Sequence, residues 1–243
     1  MCLPDRAVKE KHWLPEPGEL PRAGEIHLWR MDLDELAARG GPAASALAEA
    51  EQERAGRFIR EEHRRRFAAG RGWLRSVLGA CLNRPPLDVP LMAGSHGKPR
   101  IAAEANPVRL QFNLSHCGRF ALLAVTVGRE IGVDLEDPRR NTDWAAVAGR
   151  FCTAREREHV ATLAPGMRPV AFAEIWARKE AAAKALGEGL ASPVFSVNVG
   201  PADWGTVDCG DGLVVWSLPP QNGLVAAMAV WPAPEVKEQQ KGN

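Results

Sequence analysis

The chain has no excess of either charge: 31 Lys and Arg against 30 Asp and Glu leave a formal net charge of +1 over 243 residues. Without a whole-molecule field it is not drawn onto nucleic acid or an anionic membrane, so any anion binding must come from a local cluster. It also lacks paired cysteines. Cys2, Cys81, Cys117, Cys152 and Cys209 are scattered, odd in number and form no CxxC motif, which argues against a disulfide framework or zinc site and fits a reducing cytosol. The opening stretch MCLPDRAVKEKHWLPEP carries charges and prolines where a signal peptide has an apolar run, and no segment approaches transmembrane length; a cytoplasmic location is expected. No sequence repeat is visible. What remains is an ordinary globular composition, 45% hydrophobic and 25% charged, with ample material for one large domain or two small ones.

Up to about Gly24 prolines are frequent and periodicity is absent, as in a surface loop. EIHLWRMDL, Glu25 to Leu33, reads as a first strand, followed by helices over Ala43 to about Phe58 and Glu61 to Leu82, the latter stopped by Pro85 and Pro86. Arg54, Arg57, Arg60, Arg64, Arg65, Arg66, Arg71 and Arg75 concentrate here. Arg64, Arg71 and Arg75 share a face of a continuous helix, which is a solvated stripe balanced by Glu61 and Glu62, a phosphate site or, against the near-zero net charge and the absence of a nucleic-acid motif, a nucleic-acid contact. LDVPLM reads as a strand and Gly97, Lys98 and Pro99 as a turn. From Leu110 to Val127 two apolar strands are interrupted by Asn113, Ser115, His116 and Gly118; Ser115 and His116 offer donors to an anion.

In IGVDLED, Asp134 and Glu136 are two apart on a strand and project from one face, while Val133 and Leu135 pack on the other. That pair is either two acids on an exposed face or part of an oxygen-ligand site for one hard cation. Asp143 to Leu163 is helical with a break, where Thr153 and Glu156 form a capping box. WARKEAAAKALGEGL, Trp176 to Leu190, is rich in helix formers up to Gly187 and Gly189. Trp176, Glu180 and Lys184, spaced i, i+4, i+8, share one face, as either an ordinary Glu/Lys pair or the polar end of a ligand site. PVFSVNVG, TVDCGDGLVVWSL and NGLVAAMAVWP read as short strands, and the tail as disordered.

Taken in order, GKPRI, FNLSH, GVDLE, RFCTAREREH and WARKEAAAKALGEGL resemble the 4'-phosphopantetheinyl transferases of the Sfp type, from about Arg54 to Leu190. The resemblance implies an α+β fold of two pseudo-symmetric halves, each a small, mostly antiparallel sheet packed on a long helix, with coenzyme A and magnesium in the cleft between them. The organisation expected is a Pro-rich segment (1–24), an N-terminal half (25–113), a C-terminal half with the metal site (114–231) and a disordered tail (232–243). It implies transfer of the 4'-phosphopantetheine arm of coenzyme A to a serine of an apo acyl or peptidyl carrier protein, as in polyketide and nonribosomal peptide synthesis, releasing 3',5'-ADP. Asp134, Glu136 and Glu180 look like magnesium ligands, and Glu180 and Lys184 like the catalytic pair. Arg54, Arg66, Lys98, Pro99, Ser115, His116 and Lys184 look like coenzyme A contacts. Cys152 stands where the family often has Phe, Glu51 where a basic residue is common, and Leu135 leaves no third acid in the GVDLE strand, so that water is expected at one magnesium position. A single pseudo-dimeric chain has no need of a second, and a monomer is expected. Two other readings use the same residues: a magnesium-dependent hydrolase of nucleotide pyrophosphates, and a non-catalytic coenzyme A or carrier-binding module.

Overall fold

The chain runs twice through the same order: a strand, a long helix, then a hairpin whose second strand returns beside the first strand. The structure, a computed structural model, describes residues 8–11, 15–39, 46–140 and 142–232. After the short strand β1 (Val8–Glu10), the first pass comprises β2 (Ile26–Asp32), helices α1 (Leu33–Ala38), α2 (Glu49–Gly56) and α3 (Glu61–Cys81), a small hairpin of β3 (Leu91–Ala93) and β4 (Pro99–Ile101), and the hairpin β5 (Leu110–Cys117) and β6 (Phe120–Val127). The second comprises β7 (Arg129–Glu136), helices α4 (Trp144–Phe151), α5 (Ala154–Thr162) and α6 (Arg168–Leu186), the short β8 (Val207–Asp208), and the hairpin β9 (Val214–Gln221) and β10 (Leu224–Pro232).

The sheet orders are β1-β2-β6-β5 and β7-β10-β9-β8. Within them β2, β5 and β6 occupy the places that β7, β9 and β10 occupy in the other, which is the expected pseudo-symmetric α+β fold. All pairings are antiparallel except β1 on β2. Period-two alternation gives each central strand two buried faces. In β6, Leu123 and Val125 face α3 while Leu122 and Ala124 enter the layer shared by the two sheets. In β10, Ala227 and Ala229 meet the alanines of α6, and Ala226, Met228 and Val230 enter the shared layer. Small residues on both sides of the α6 contact let the helix lie close to its sheet.

The division expected after residue 113 falls inside β5. By the repeated order β5 and β6 go with the first half, and the chain crosses over at Gly128, whose φ of 71° suits glycine. Other local expectations change as well. The first expected helix begins at Glu49, its expected start at Ala43 lying outside the described residues, and the short α1 precedes it, capped by the Asp32 carboxylate on the N–H groups of Asp34 and Glu35. LDVPLM is strand only from Leu91, because Pro86–Asp88 form a 3-10 turn. Residues Pro193–Ser196, read as strand, form another. The N-terminal segment contributes β1 and packs Leu20 on the first core. The expected tail lies, from residue 233, outside the described residues. No helix among the described residues is long and apolar enough to cross a membrane.

Candidate functional site

The two halves meet along β5 and β7, where the Val133 N–H donates to the Asn113 side-chain carbonyl at 2.9 Å. A buried side-chain amide thus takes a backbone donor that no neighbouring strand claims on that edge. This joint sets the register across the halves. Two residues on from Asn113 in β5, and one from Val133 in β7, the Ser115 hydroxyl donates to Asp134 Oδ1 at 2.9 Å.

Helix α6 closes the cluster from the other side. Its Pro169 lies in the first turn and Gly187, at φ 75°, ends it in the left-handed conformation. On the expected face, Lys184 Nζ lies 2.5 Å from Asp134 Oδ1 and 3.2 Å from the Ser115 hydroxyl. One and two turns earlier are Glu180 and Trp176, whose indole N–H donates to Glu136 Oε1 at 3.1 Å. Asp134, Glu136, Glu180, Lys184 and Ser115 are thereby brought into one region by three elements. His116 follows Ser115 at an exposed position of β5.

The electrostatics are those of crowded, desolvated carboxylates. Burial, reinforced by the Asp134 charge, pushes Glu136 up to about 7, against the pull of Arg140, Lys184 and the Trp176 hydrogen bond. Burial likewise raises Glu180, opposed by Lys184 and reinforced by Asp134. Burial acts against the Lys184 ammonium, but Asp134, with Glu180 and Glu136, outweighs it and leaves the pKa above the ordinary lysine value. Although His116 is exposed at its surface, partial loss of water around its ring is the first cause that lowers its pKa, and Lys184 the second. Asp134 Oδ2 is buried without a hydrogen-bond partner, a costly state for a carboxylate oxygen unless a cation or donor joins it.

Among the described residues, no three His, Cys, Asp or Glu side chains converge closely enough to hold a metal ion by themselves. Magnesium asks for less than that: it keeps several waters and commonly takes one or two carboxylates together with phosphate oxygens. Hard oxygen donors, a surplus of negative charge and the unpartnered Asp134 Oδ2 fit such an ion.

The remaining predicted contacts are spread out. Lys98, just before β4, crosses to β7, donating to Glu130 Oε2 and to the Ile131 carbonyl, both at 3.1 Å; burial lowers its pKa against the pull of Glu130. Pro99, next to it, opens β4. Arg54 lies 5.2 Å from the centre of the Phe67 ring and Arg71 5.8 Å from it, so two guanidiniums flank one aromatic ring. Arg66 is held away from both by a bidentate pair with Asp34, 2.7 Å for each bond. The expected basic stripe is broken at Arg75, which is buried and paired with Glu51 at 2.6 Å. Glu51 also lies 3.5 Å from Arg71, so the acid that stands in the basic position organises two arginines of α3.

Sequence reasoning missed Asn113 as a joint and Lys179 and Glu156 as buried charges. A helical step of about 100° per residue turns Lys179 away from the face of Trp176, Glu180 and Lys184, which could have flagged it.

Residues 34–128 match the family model for the N-terminal part of 4'-phosphopantetheinyl transferases, and residues 130–217 match that of the 4'-phosphopantetheinyl transferase superfamily. The two matches meet at the crossover between the halves. The chain is similar to the 4'-phosphopantetheinyl transferase HetI of Nostoc, 38% identical over 90% of this chain and 93% of that protein. It is also similar to a Bacillus subtilis 4'-phosphopantetheinyl transferase, 28% identical over 67% of this chain and 70% of that protein. A human relative, L-aminoadipate-semialdehyde dehydrogenase-phosphopantetheinyl transferase, is 30% identical over 61% of this chain and 50% of its own length.

Proposed function

The chain belongs to the 4'-phosphopantetheinyl transferase family, an enzyme family that moves the phosphopantetheine arm of coenzyme A onto carrier proteins, and from that premise we propose how its own residues carry out the transfer. The observation that carries the assignment is the junction of Ser115, Asp134 and Lys184 across both halves, with one Asp134 oxygen left without a partner.

The carrier serine hydroxyl attacks the β-phosphorus of coenzyme A. A new P–O bond forms, the bond from that phosphorus to the bridging oxygen breaks, and 3',5'-ADP leaves. Three things are needed: a proton acceptor, in-line positioning and neutralisation of the phosphates. Glu180, directly or through a water, takes the serine proton. Lys184, kept charged by its carboxylate neighbours, lies one turn on and supports the pyrophosphate and the leaving group. Of the three carboxylates, Asp134 and either Glu136 or Glu180 would hold magnesium directly and the third through a water, and the ion would supply positive charge to the pyrophosphate. Ser115 and His116 at the end of β5, Lys98 and Pro99 at β4, and Arg54 beside Phe67 bind the nucleotide end. Arg66 joins them if it exchanges Asp34 for phosphate. The enzyme is taken as a cytoplasmic monomer that serves carrier proteins of polyketide or nonribosomal peptide assembly.

Intact-mass analysis of apo acyl and peptidyl carriers, incubated with the protein, coenzyme A and magnesium, tests this directly. A gain of one phosphopantetheine on the carrier serine, abolished by EDTA, is expected. Transfer that persists in EDTA would remove the metal, and 3',5'-ADP formed without any carrier would point to a hydrolase instead.

A further inference from the structure

Lys179 precedes Glu180 in sequence but faces elsewhere. It is fully buried, as is Glu156 of α5, with Nζ and Oε2 3.1 Å apart. Two charges removed from water are tolerated only when each is satisfied by further hydrogen bonds, and both are. Lys179 Nζ also donates to the carbonyls of Phe195 at 2.9 Å and Val197 at 2.8 Å. Glu156 accepts from the backbone N–H of Thr153 at 2.8 Å, of Val199 at 2.8 Å and of Gly200 at 3.2 Å. The pair therefore clasps the start of α5 and the irregular segment 195–200 to α6. An apolar pair could fill the same volume but could not satisfy the backbone groups of that segment, which no strand pairs.

The clasp continues to the site through a chain of contacts. Phe195, whose carbonyl Lys179 holds, packs its ring on Trp176 with centroids 5.8 Å apart and on Phe151 at 5.1 Å. Trp176 in turn donates its indole N–H to Glu136. We infer that the Lys179–Glu156 pair is a positioning unit that, through segment 195–200 and the Phe195 ring, holds the Trp176 indole against Glu136 and so sets where that carboxylate stands. The inference rests on the reading of Glu136 as a working carboxylate of the transfer site. Neither member of the pair touches substrate.

The test uses the full chain with Lys179→Met and Glu156→Gln combined, so that neither charge is stranded. The Trp176 indole N–H resonance, identified by its loss in Trp176→Phe, is followed by NMR without substrate, and kcat and the coenzyme A KM are measured separately. The expected result is a displaced indole resonance and a kcat lowered about tenfold or more, with KM within about twofold of wild type. In the Trp176→Phe background the double substitution should then cost little more, because both act through one link. If the double variant does not fold, Phe195→Leu, which removes the ring and leaves the clasp, must displace the same resonance and lower kcat. An unmoved resonance, an unchanged kcat, or a loss that adds in full to that of Trp176→Phe would overturn the positioning role. Full turnover in Glu136→Gln would instead sink the assignment of Glu136, while the indole resonance still decides the link on its own.

Discussion

A β-carbon on Gly132 would fall onto the carbonyl oxygen of Ala181 and 2.5 Å from the amide nitrogen of Ala185. Strand β7 and helix α6 therefore touch backbone to backbone, over a hydrogen-bonded turn of the helix. That proximity brings Lys184 within reach of Asp134 two residues along the strand. Because the opposing atoms are main chain, no side-chain rotation can make room. Gly132→Ala should destabilise the fold by about 1–3 kcal/mol or more and lower turnover by parting Lys184 from Asp134. Urea unfolding and carrier modification rates read the two effects; a variant of native stability and native rate would show that the contact has slack.

Glu180 tests the proton step. Glu180→Gln keeps the shape of the side chain and removes its basicity, so kcat should fall by about 10²–10⁴-fold, while coenzyme A binding, measured by calorimetry, changes little. Undiminished turnover would take Glu180 out of the mechanism.

Lys98 is different in kind. Its ammonium already has two acceptors, Glu130 and the Ile131 carbonyl, so binding a phosphate adds to or displaces an existing contact. Lys98→Ala should raise the coenzyme A KM by about tenfold, the scale of one charge-assisted hydrogen bond, with kcat nearly unchanged. An unaltered KM would confine Lys98 to joining β4 and β7.

The parts of this site that were legible in the sequence are those governed by local period. Three residues at i, i+4, i+8 must share a helical face, and two acids at i, i+2 must share a strand face; Trp176, Glu180 and Lys184, and Asp134 and Glu136, do so. What was not legible depends on partners far along the chain. Arg75 looked like part of one basic stripe with Arg64 and Arg71, and Arg66 like a phosphate contact, until Glu51, 24 residues from Arg75, and Asp34, 32 residues from Arg66, claimed them. Val194, Phe195 and Val197 looked like a strand because they are apolar. The Ser192 cap on Val194 N–H, Pro193 in the first turn and the Lys179 ammonium on two carbonyls wind that segment into a turn instead. The short α1 escaped notice because six residues carry too little period, although Asp32 marks its start.

His27 gives the fold a predictable weakness in acid. Its ring, 2% exposed, has a buried Nδ1 without a partner. Burial, and next Lys11, lower its pKa below 6.5, against the opposing pull of Glu19 and Glu25. A group whose folded pKa lies below its unfolded value binds more protons when unfolded. Its neutral form costs nothing above about pH 6.5, the ordinary histidine value, and stability is lost as pH falls from there toward the folded pKa, where the loss levels off. Relative to wild type, His27→Leu, which fills the site without a titrating group, should therefore gain in urea midpoint as pH falls from 7.5 to 5.5; Glu136, whose raised pKa acts in the opposite sense, contributes equally to both proteins. An identical pH slope in the variant would assign the acid sensitivity to other groups.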